Sequence, residues 1–318
     1  MAIRSQTGAV PVLPFVGGRG FSCRFLGAVV VLLSACGGGS AAAVHDAPAF
    51  VRDDAGRAVS LEPAPRRIIS LLPSATELIV ALGGGDRLIA RTAYDAQPAL
   101  AHLPSFGRAI AASVESLVAL EPDLVVLPPD YLTSDLARRL ASFGVRVYEA
   151  DAQRLDALFA TVGRLAALLG ARARGDSLAS ALRDGLRDVR AAHTREPPVD
   201  VVYAVWHSPP TVAGADTYVD DIIAAAGGRN VFADVSGWPE VSPEALLARD
   251  PAFVIVAGST QHPLRPELLR DAPGWRGLRA VREGRVVAVD PDLFNRPGAR
   301  VVEAARVLAA ALHGERDP

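Results

Sequence analysis

Two stretches of this chain repeat each other, and the repeat limits what the whole can fold into. Ser113–Leu127 (SVESLVALEPDLVVL) aligns without a gap to Ser242–Val256 (SPEALLARDPAFVIV). Each copy reads as an N-capping Ser, a short helix, a break before Pro, and a buried strand. A second echo supports it, because the helix closing on Gly83-Gly84 has a counterpart closing on Gly227-Gly228. Matched helix–strand units spaced this way predict an α/β fold of two similar lobes, each built on a mostly parallel sheet.

The rest of the chain fits that plan. At 318 residues it exceeds one ordinary core, and 50% hydrophobic residues supply material for two. Phe50–Arg52 and Ala58–Leu61 form a hairpin around Asp53–Gly56, and Ile68–Leu72 is an apolar strand. Ser74 and Glu77 read as a capping box opening a helix to Leu82, and Leu88–Ala90 resumes a strand. Leu155–Leu169 is one helix, stopped by Gly170. Ala171–His193 is another, with Leu178, Leu182, Leu186 and Val189 on one face. At 1.5 Å per residue it reaches roughly 35 Å, enough to join two lobes rigidly. Strand Val199–Val205 starts the second lobe, and Val301, Ala305, Leu308 and Leu312 mark a closing helix. The expected boundaries are an N-terminal lobe over 49–170, a connecting helix over 171–195 and a C-terminal lobe over 196–318.

The N-terminus reads as an export signal. Arg19 and Arg24 precede the apolar run Phe25–Leu33 and then Ser34-Ala35-Cys36. That run falls well short of the ~20 residues that span a bilayer. Small residues before Cys resemble a lipoprotein processing site, so 1–35 is expected to be removed, Cys36 lipidated, and 36–48 left as a flexible tether on the outer side of the cytoplasmic membrane. Cys23 and Cys36 are the only cysteines, so core packing and not disulfides holds the exported body. A net charge of −2 argues against a nucleic-acid partner.

Enzyme signatures are missing. No G-x-S-x-G, P-loop or G-x-G-x-x-G follows a strand, and the six His residues show no metal-ligand spacing. The expectation is a non-enzyme with no resident cofactor or metal. Aromatic residues stand out instead. Tyr94, Phe106, Trp206, Trp238 and Phe294 each fall just after a strand or beside Pro or Gly. Loops beyond the carboxyl ends of strands form the ligand crevice of open α/β sheets. Rings on Pro-stiffened loops suit a large flat or amphipathic ligand, each half-covered ring contributing about 2 kcal/mol before association costs. Core packing is the competing reading for each ring, and Trp275 is assigned to packing. Glu115 and Glu244 hold the same place in the repeat, two residues after the capping Ser, where a helix dipole alone favours a carboxylate.

Taken together, four segments resemble the solute-binding proteins of the vitamin B12, haem and ferric-siderophore ABC importers. They are Arg67–Glu77, Ser113–Val126, Ala225–Phe232 and Trp238–Leu246. The likeness is greatest to the cobalamin binders. It implies two lobes joined by one long helix, with a metal chelate, cobalamin or a related corrinoid, captured in the cleft between them. It implies that Pro73, Tyr94, Phe106, Trp206, Trp238 and Phe294 surround the ligand, with Arg296 the one candidate for the cleft arginine that siderophore binders use, and that a monomer docks on the permease, with its ATPase, through Glu115 and Glu244. One departure is that Pro128–Tyr131 stands where the cobalamin binders offer a Trp. The rivals are a haem or siderophore receptor; in another class, a metal-cluster enzyme or cofactor-assembly protein on a related scaffold; and a zinc or manganese receptor, which would want a His-rich loop and converging His and Asp ligands that the sequence does not display.

Overall fold

A computed structural model describes residues 49–107, 112–129, 131–151, 153–258 and 264–314. The export signal, Cys36, the tether and Asp130 lie outside the described residues.

The chain opens with a hairpin, β1 (Phe50–Arg52) and β2 (Ala58–Ser60), in antiparallel register Val51 to Val59. The N-terminal lobe then runs β3 (Ile68–Ser70), α1 (Pro73–Ala81), β4 (Leu88–Ala90), α2 (Val114–Val118), β5 (Leu124–Leu127), α3 (Tyr131–Ser142), β6 (Arg146–Glu149) and α4 (Leu155–Leu168). The connecting helix α5 (Arg172–His193) follows. The C-terminal lobe runs β7 (Val199–His207), β8 (Pro210–Val212), α6 (Tyr218–Ala225), β9 (Gly228–Asn230), α7 (Pro243–Arg249), β10 (Phe253–Val256), α8 (Pro266–Asp271), α9 (Arg279–Arg282), β11 (Val286–Ala288), α10 (Pro291–Phe294) and α11 (Val301–His313).

The two sheets share one plan. The first has strand order β4-β3-β5-β6 and is parallel throughout. In the second, β9, β7, β10 and β11 form the same parallel series, and β8 adds an antiparallel strand on β7. The repeat is visible atom by atom. Ser113 and Ser242 cap α2 and α7, each hydroxyl accepting from the amide three residues on at 3.1 Å. Losing such a cap costs about 1 kcal/mol. Glu121 (φ 46°) and Asp250 (φ 34°) then occupy the same left-handed turn before Pro122 and Pro251. Non-glycine residues pay roughly 1–2 kcal/mol there. The turn returns something for it: the next amides, Asp123 and Ala252, donate to Arg67 and Asp200 at 2.9 and 2.8 Å and set each strand beside its neighbour. The echo at the helix ends holds too, since α1 and α6 are both followed by Gly at positive φ, Gly83 (81°) and Gly227 (77°).

Three expectations change. α1 begins at Pro73 with Leu72 as its uncapped N-cap, so Ser74 is a buried interior residue and the Ser74–Glu77 capping box does not form. Proline at the first helical position moves the start upstream, since its fixed φ suits that site and its missing N–H needs no partner. Strand β7 runs on to His207, because the β8 hairpin pairs with its end. The expected pair of cores is one continuous core plus two outer ones. A single cluster joins Ile68 and Leu124 of one sheet to Val201 and Ile255 of the other through α1, α4, α5, α6 and α11. Separate clusters around Trp275 and around Val125 cover the far faces. Helix α5 buries Gly175, Ala179, Leu182, Leu186 and Val189 in the shared core, as its periodicity predicts.

Candidate ligand cleft

The aromatic residues named above lie near the carboxyl ends of the parallel strands, and among the described residues polar contacts bridge the lobes beside them on two sides. On one side Arg296 donates from Nη1 to the Tyr94 carbonyl at 2.9 Å while pairing with Asp292 at 2.7 Å. On the other, the Leu155 amide at the start of α4 donates to the Asp221 carboxylate of α6 at 3.0 Å, and Arg154 pairs with Asp216.

The C-terminal lobe builds its face around β8. One edge of β8 pairs with β7, setting Trp206 opposite Thr211. The other takes the segment carrying Trp238, with Val212 donating to Pro239 at 3.1 Å and Thr211 bridging to Glu240. Thr211 thus pairs on one side with Trp206 and on the other with Glu240, two residues beyond Trp238, so both tryptophans ride on segments of one platform. Trp206 is half-buried and its indole N–H donates to the Ser208 carbonyl at 2.9 Å. Trp238 leans on the buried Tyr218, ring centres 5.9 Å apart, and keeps 37% of its surface exposed. An exposed tryptophan held by backbone pairing and a ring beneath it has apolar surface ready for a ligand.

The N-terminal lobe presents its rings on one excursion from β4. The chain leaves at Arg91 and returns at Phe106, Arg91 donating to Pro104 and Phe106 to Arg91, both at 3.0 Å. The buried Asp95 carboxylate accepts from the Thr92 amide and hydroxyl at 2.7 and 2.8 Å, a turn that fixes half-buried Tyr94 between them. Phe106 is half-buried against the outer core. Pro73 is half-buried at the first turn of α1.

Phe294 does not belong to the set. It ends α10 with 1% of its surface exposed, inside the shared core beside α11. Asp290 caps that short helix, and the turn it imposes points the last ring inward. Asn295, one residue on, is exposed instead, its side chain fixed by the Tyr203 hydroxyl at 2.8 Å and the Ala257 carbonyl at 3.3 Å. Burial pushes the Tyr203 phenol well above its ordinary range, so it is a fixed donor to Asn295.

Sequence reasoning also missed Glu77. With Arg296, Arg300, Val80 and Gln97 it lines a cavity of about 410 Å³ between the lobes. Burial raises its carboxyl above the ordinary value against the pull of Arg296 and Arg300. Of the expected ligand residues this cavity includes Arg296 alone, so it lies beside the ring-lined faces and not among them.

Glu115 and Glu244 stand exposed in the first turns of α2 and α7. Glu115 pairs with Arg139 at 2.8 Å, and its own backbone N–H followed by that arginine lowers its carboxyl below the usual range. Trp275 is fully buried, donating to the His207 carbonyl at 3.0 Å, in keeping with a packing role.

Two matched α/β lobes on a helical connector, with aromatic faces at the strand ends, define a two-lobe solute-binding protein. Residues 68–293 match the periplasmic binding protein family, and the chain belongs to it. It is 30% identical over 282 residues to a cobalamin-binding protein of Halobacterium salinarum, covering 84% of this chain and 74% of that one. It is 26% identical over 273 residues to an uncharacterized ABC transporter substrate-binding lipoprotein of Bacillus subtilis, covering 84% and 86%. Among solved structures, a periplasmic heme binding protein of Pseudomonas aeruginosa superposes with a TM-score of 0.68 at 30% identity, covering 80% and 95%.

Proposed function

We propose that this chain is the extracytoplasmic, lipid-anchored substrate-binding protein of an ABC importer, and that it captures cobalamin or a related corrinoid for its permease. The observation that carries the reading is the β8 platform, which sets Trp206 and Trp238 together at the mouth of one lobe while Tyr94 meets the other lobe at Arg296. A broad amphipathic macrocycle gains most from such rings, since each half-covered aromatic contributes about 2 kcal/mol. The cobalamin-binding name of the Halobacterium relative supports the ligand, and the lipoprotein name of the Bacillus relative supports the anchor and the importer. Capture requires no chemistry on the ligand. Glu115 and Glu244, one per lobe at equivalent places, would orient the loaded protein on permease arginines; exposed pairs add only ~0–1 kcal/mol each, so they set register more than affinity.

Haem is the second reading, favoured by the solved heme-binding neighbour at the same 30% identity. Calorimetric titration of the purified chain with cyanocobalamin and with haemin, followed by visible absorption, separates the two. Saturable cobalamin binding is expected. Saturable haemin binding with an iron-ligand absorption band, and none for cobalamin, would replace the corrinoid with haem.

A further inference from the structure

We propose that His193, Glu196 and His313 form a binding site for a divalent transition-metal ion, zinc foremost, at the end of the C-terminal lobe remote from the ligand cleft. His193 is the last residue of α5, Glu196 lies in the turn before β7, and His313 is the last residue of α11. The site thus sits at the start of β7, whereas Trp206 sits at its end. One donor atom from each residue falls within 4.8 Å of the other two.

The hydrogen bonding around His313 asks for a cation. Its Nε2 lies 3.0 Å from the Ala226 carbonyl, which only accepts, so Nε2 carries the hydrogen. The neutral ring then turns the lone pair of Nδ1 toward Glu196 Oε2, 2.9 Å away. Two acceptors hold that distance only with a positive charge between them, a proton or a metal ion. His193 supplies a third donor. His193 stands face to face with His313, ring centres 4.2 Å apart and planes 16° from parallel. Together they make a two-histidine, one-carboxylate set of the kind that holds zinc, with a fourth position for water. The Ala226 carbonyl supplies the outer hydrogen bond that fixes the tautomer of a metal-bound histidine. Tetrahedral ligation at 2.0–2.1 Å spaces donors about 3.3 Å apart, so Glu196 and His313 part slightly and His193 turns about its Cβ–Cγ bond to aim a nitrogen at the ion. The ion would staple the connecting helix to the closing helix. Composition hid this set because its residues meet only through the packing of α5 on α11.

The test uses the full chain, made without a histidine tag and stripped with chelator, titrated with Co²⁺ and then Zn²⁺. The expected result is a visible Co²⁺ ligand-field spectrum of tetrahedral type, displaced by Zn²⁺, with a rise in Tm. Glu196→Gln and His193→Gln should keep the circular dichroism of the parent and weaken Zn²⁺ at least ~10-fold. Absence of the spectrum and of a Tm rise in the parent would overturn the site, leaving a hydrogen-bonded His313–Glu196 pair. Equal Zn²⁺ affinity in parent and both variants would overturn it as well.

Discussion

The two lobes are alike in scaffold and unlike in surface. Their sheets repeat the same parallel order, the same capped helix, and the same left-handed turn before proline. At the cleft the likeness ends. The C-terminal lobe inserts β8 and laces the Trp238 segment to it, so both tryptophans ride on backbone pairing. The N-terminal lobe carries Tyr94 and Phe106 on one excursion from β4, held by the Asp95–Thr92 turn. The shared parts fix strand register and place one exposed carboxylate on each lobe; the differing parts shape what can be held.

The largest expected effect tests whether those carboxylates act as a pair. Glu115→Ala with Glu244→Ala should leave cobalamin titrations unchanged while uptake by cells carrying the importer falls to background. Normal uptake by the double variant would end the docking role. The single variants sharpen the comparison: Glu115 must release Arg139 before meeting another arginine, so Glu244→Ala alone should impair uptake more than Glu115→Ala.

Next in size is the seating of the connecting helix on the two lobes. A methyl added at Gly175 would lie 2.3 Å from the Ala166 Cβ of α4, an atom fixed to the backbone. One added at Gly185 would lie 2.8 Å from a Val302 methyl, which a rotamer change can move. Gly175→Ala should therefore cost about 2–3 kcal/mol in thermal unfolding and Gly185→Ala about 1 kcal/mol or less, helix propensity offsetting part of each. Equal losses would mean that both lobes grip α5 alike.

Capture itself comes third. Trp238→Ala should weaken cobalamin binding by about 2 kcal/mol, roughly 30-fold. Tyr94→Ala should cost less, because the smaller ring is already half-buried and has less apolar surface to offer. If Tyr94→Ala proves the more damaging, the platform is not the principal binding face.

Much of this was legible in the sequence because it is local or periodic. The repeat announced two matched lobes, and the apolar spacing of Leu182, Leu186 and Val189 announced a buried connector. The site was legible only in part. Ring position after a strand marks which loops carry the aromatics, and Trp206, Trp238 and Tyr94 all keep part of their surface exposed there. It says nothing of which way a ring faces, so Phe294, on a four-residue helix capped by Asp290, went inward while Asn295 took the exposed place. Glu77 was misread for a related reason. Its spacing from Ser74 fits a capping box, but Pro73 had already started the helix, which turned that carboxylate toward the other lobe.

The smallest effect concerns that carboxylate. Glu77 lies where α1 of one lobe meets Arg296 and Arg300 of the other, and burial outweighs their attraction, so its folded-state proton affinity is raised. An acid raised on folding binds more protons folded than unfolded, so its contribution to stability is fully present below its ordinary 4.5 and is lost as pH climbs through the folded value. At neutral pH the ionised group is thus a mild burden on the lobe contact. Glu77→Gln should raise Tm relative to the parent at pH 7 and lose that advantage at pH 4, in melts run at both values. Water still reaches the carboxyl, so the gap should be small. A Gln variant less stable than the parent at pH 7 would show that the pairing with Arg296 and Arg300 prevails over burial, making Glu77 a clasp between the lobes.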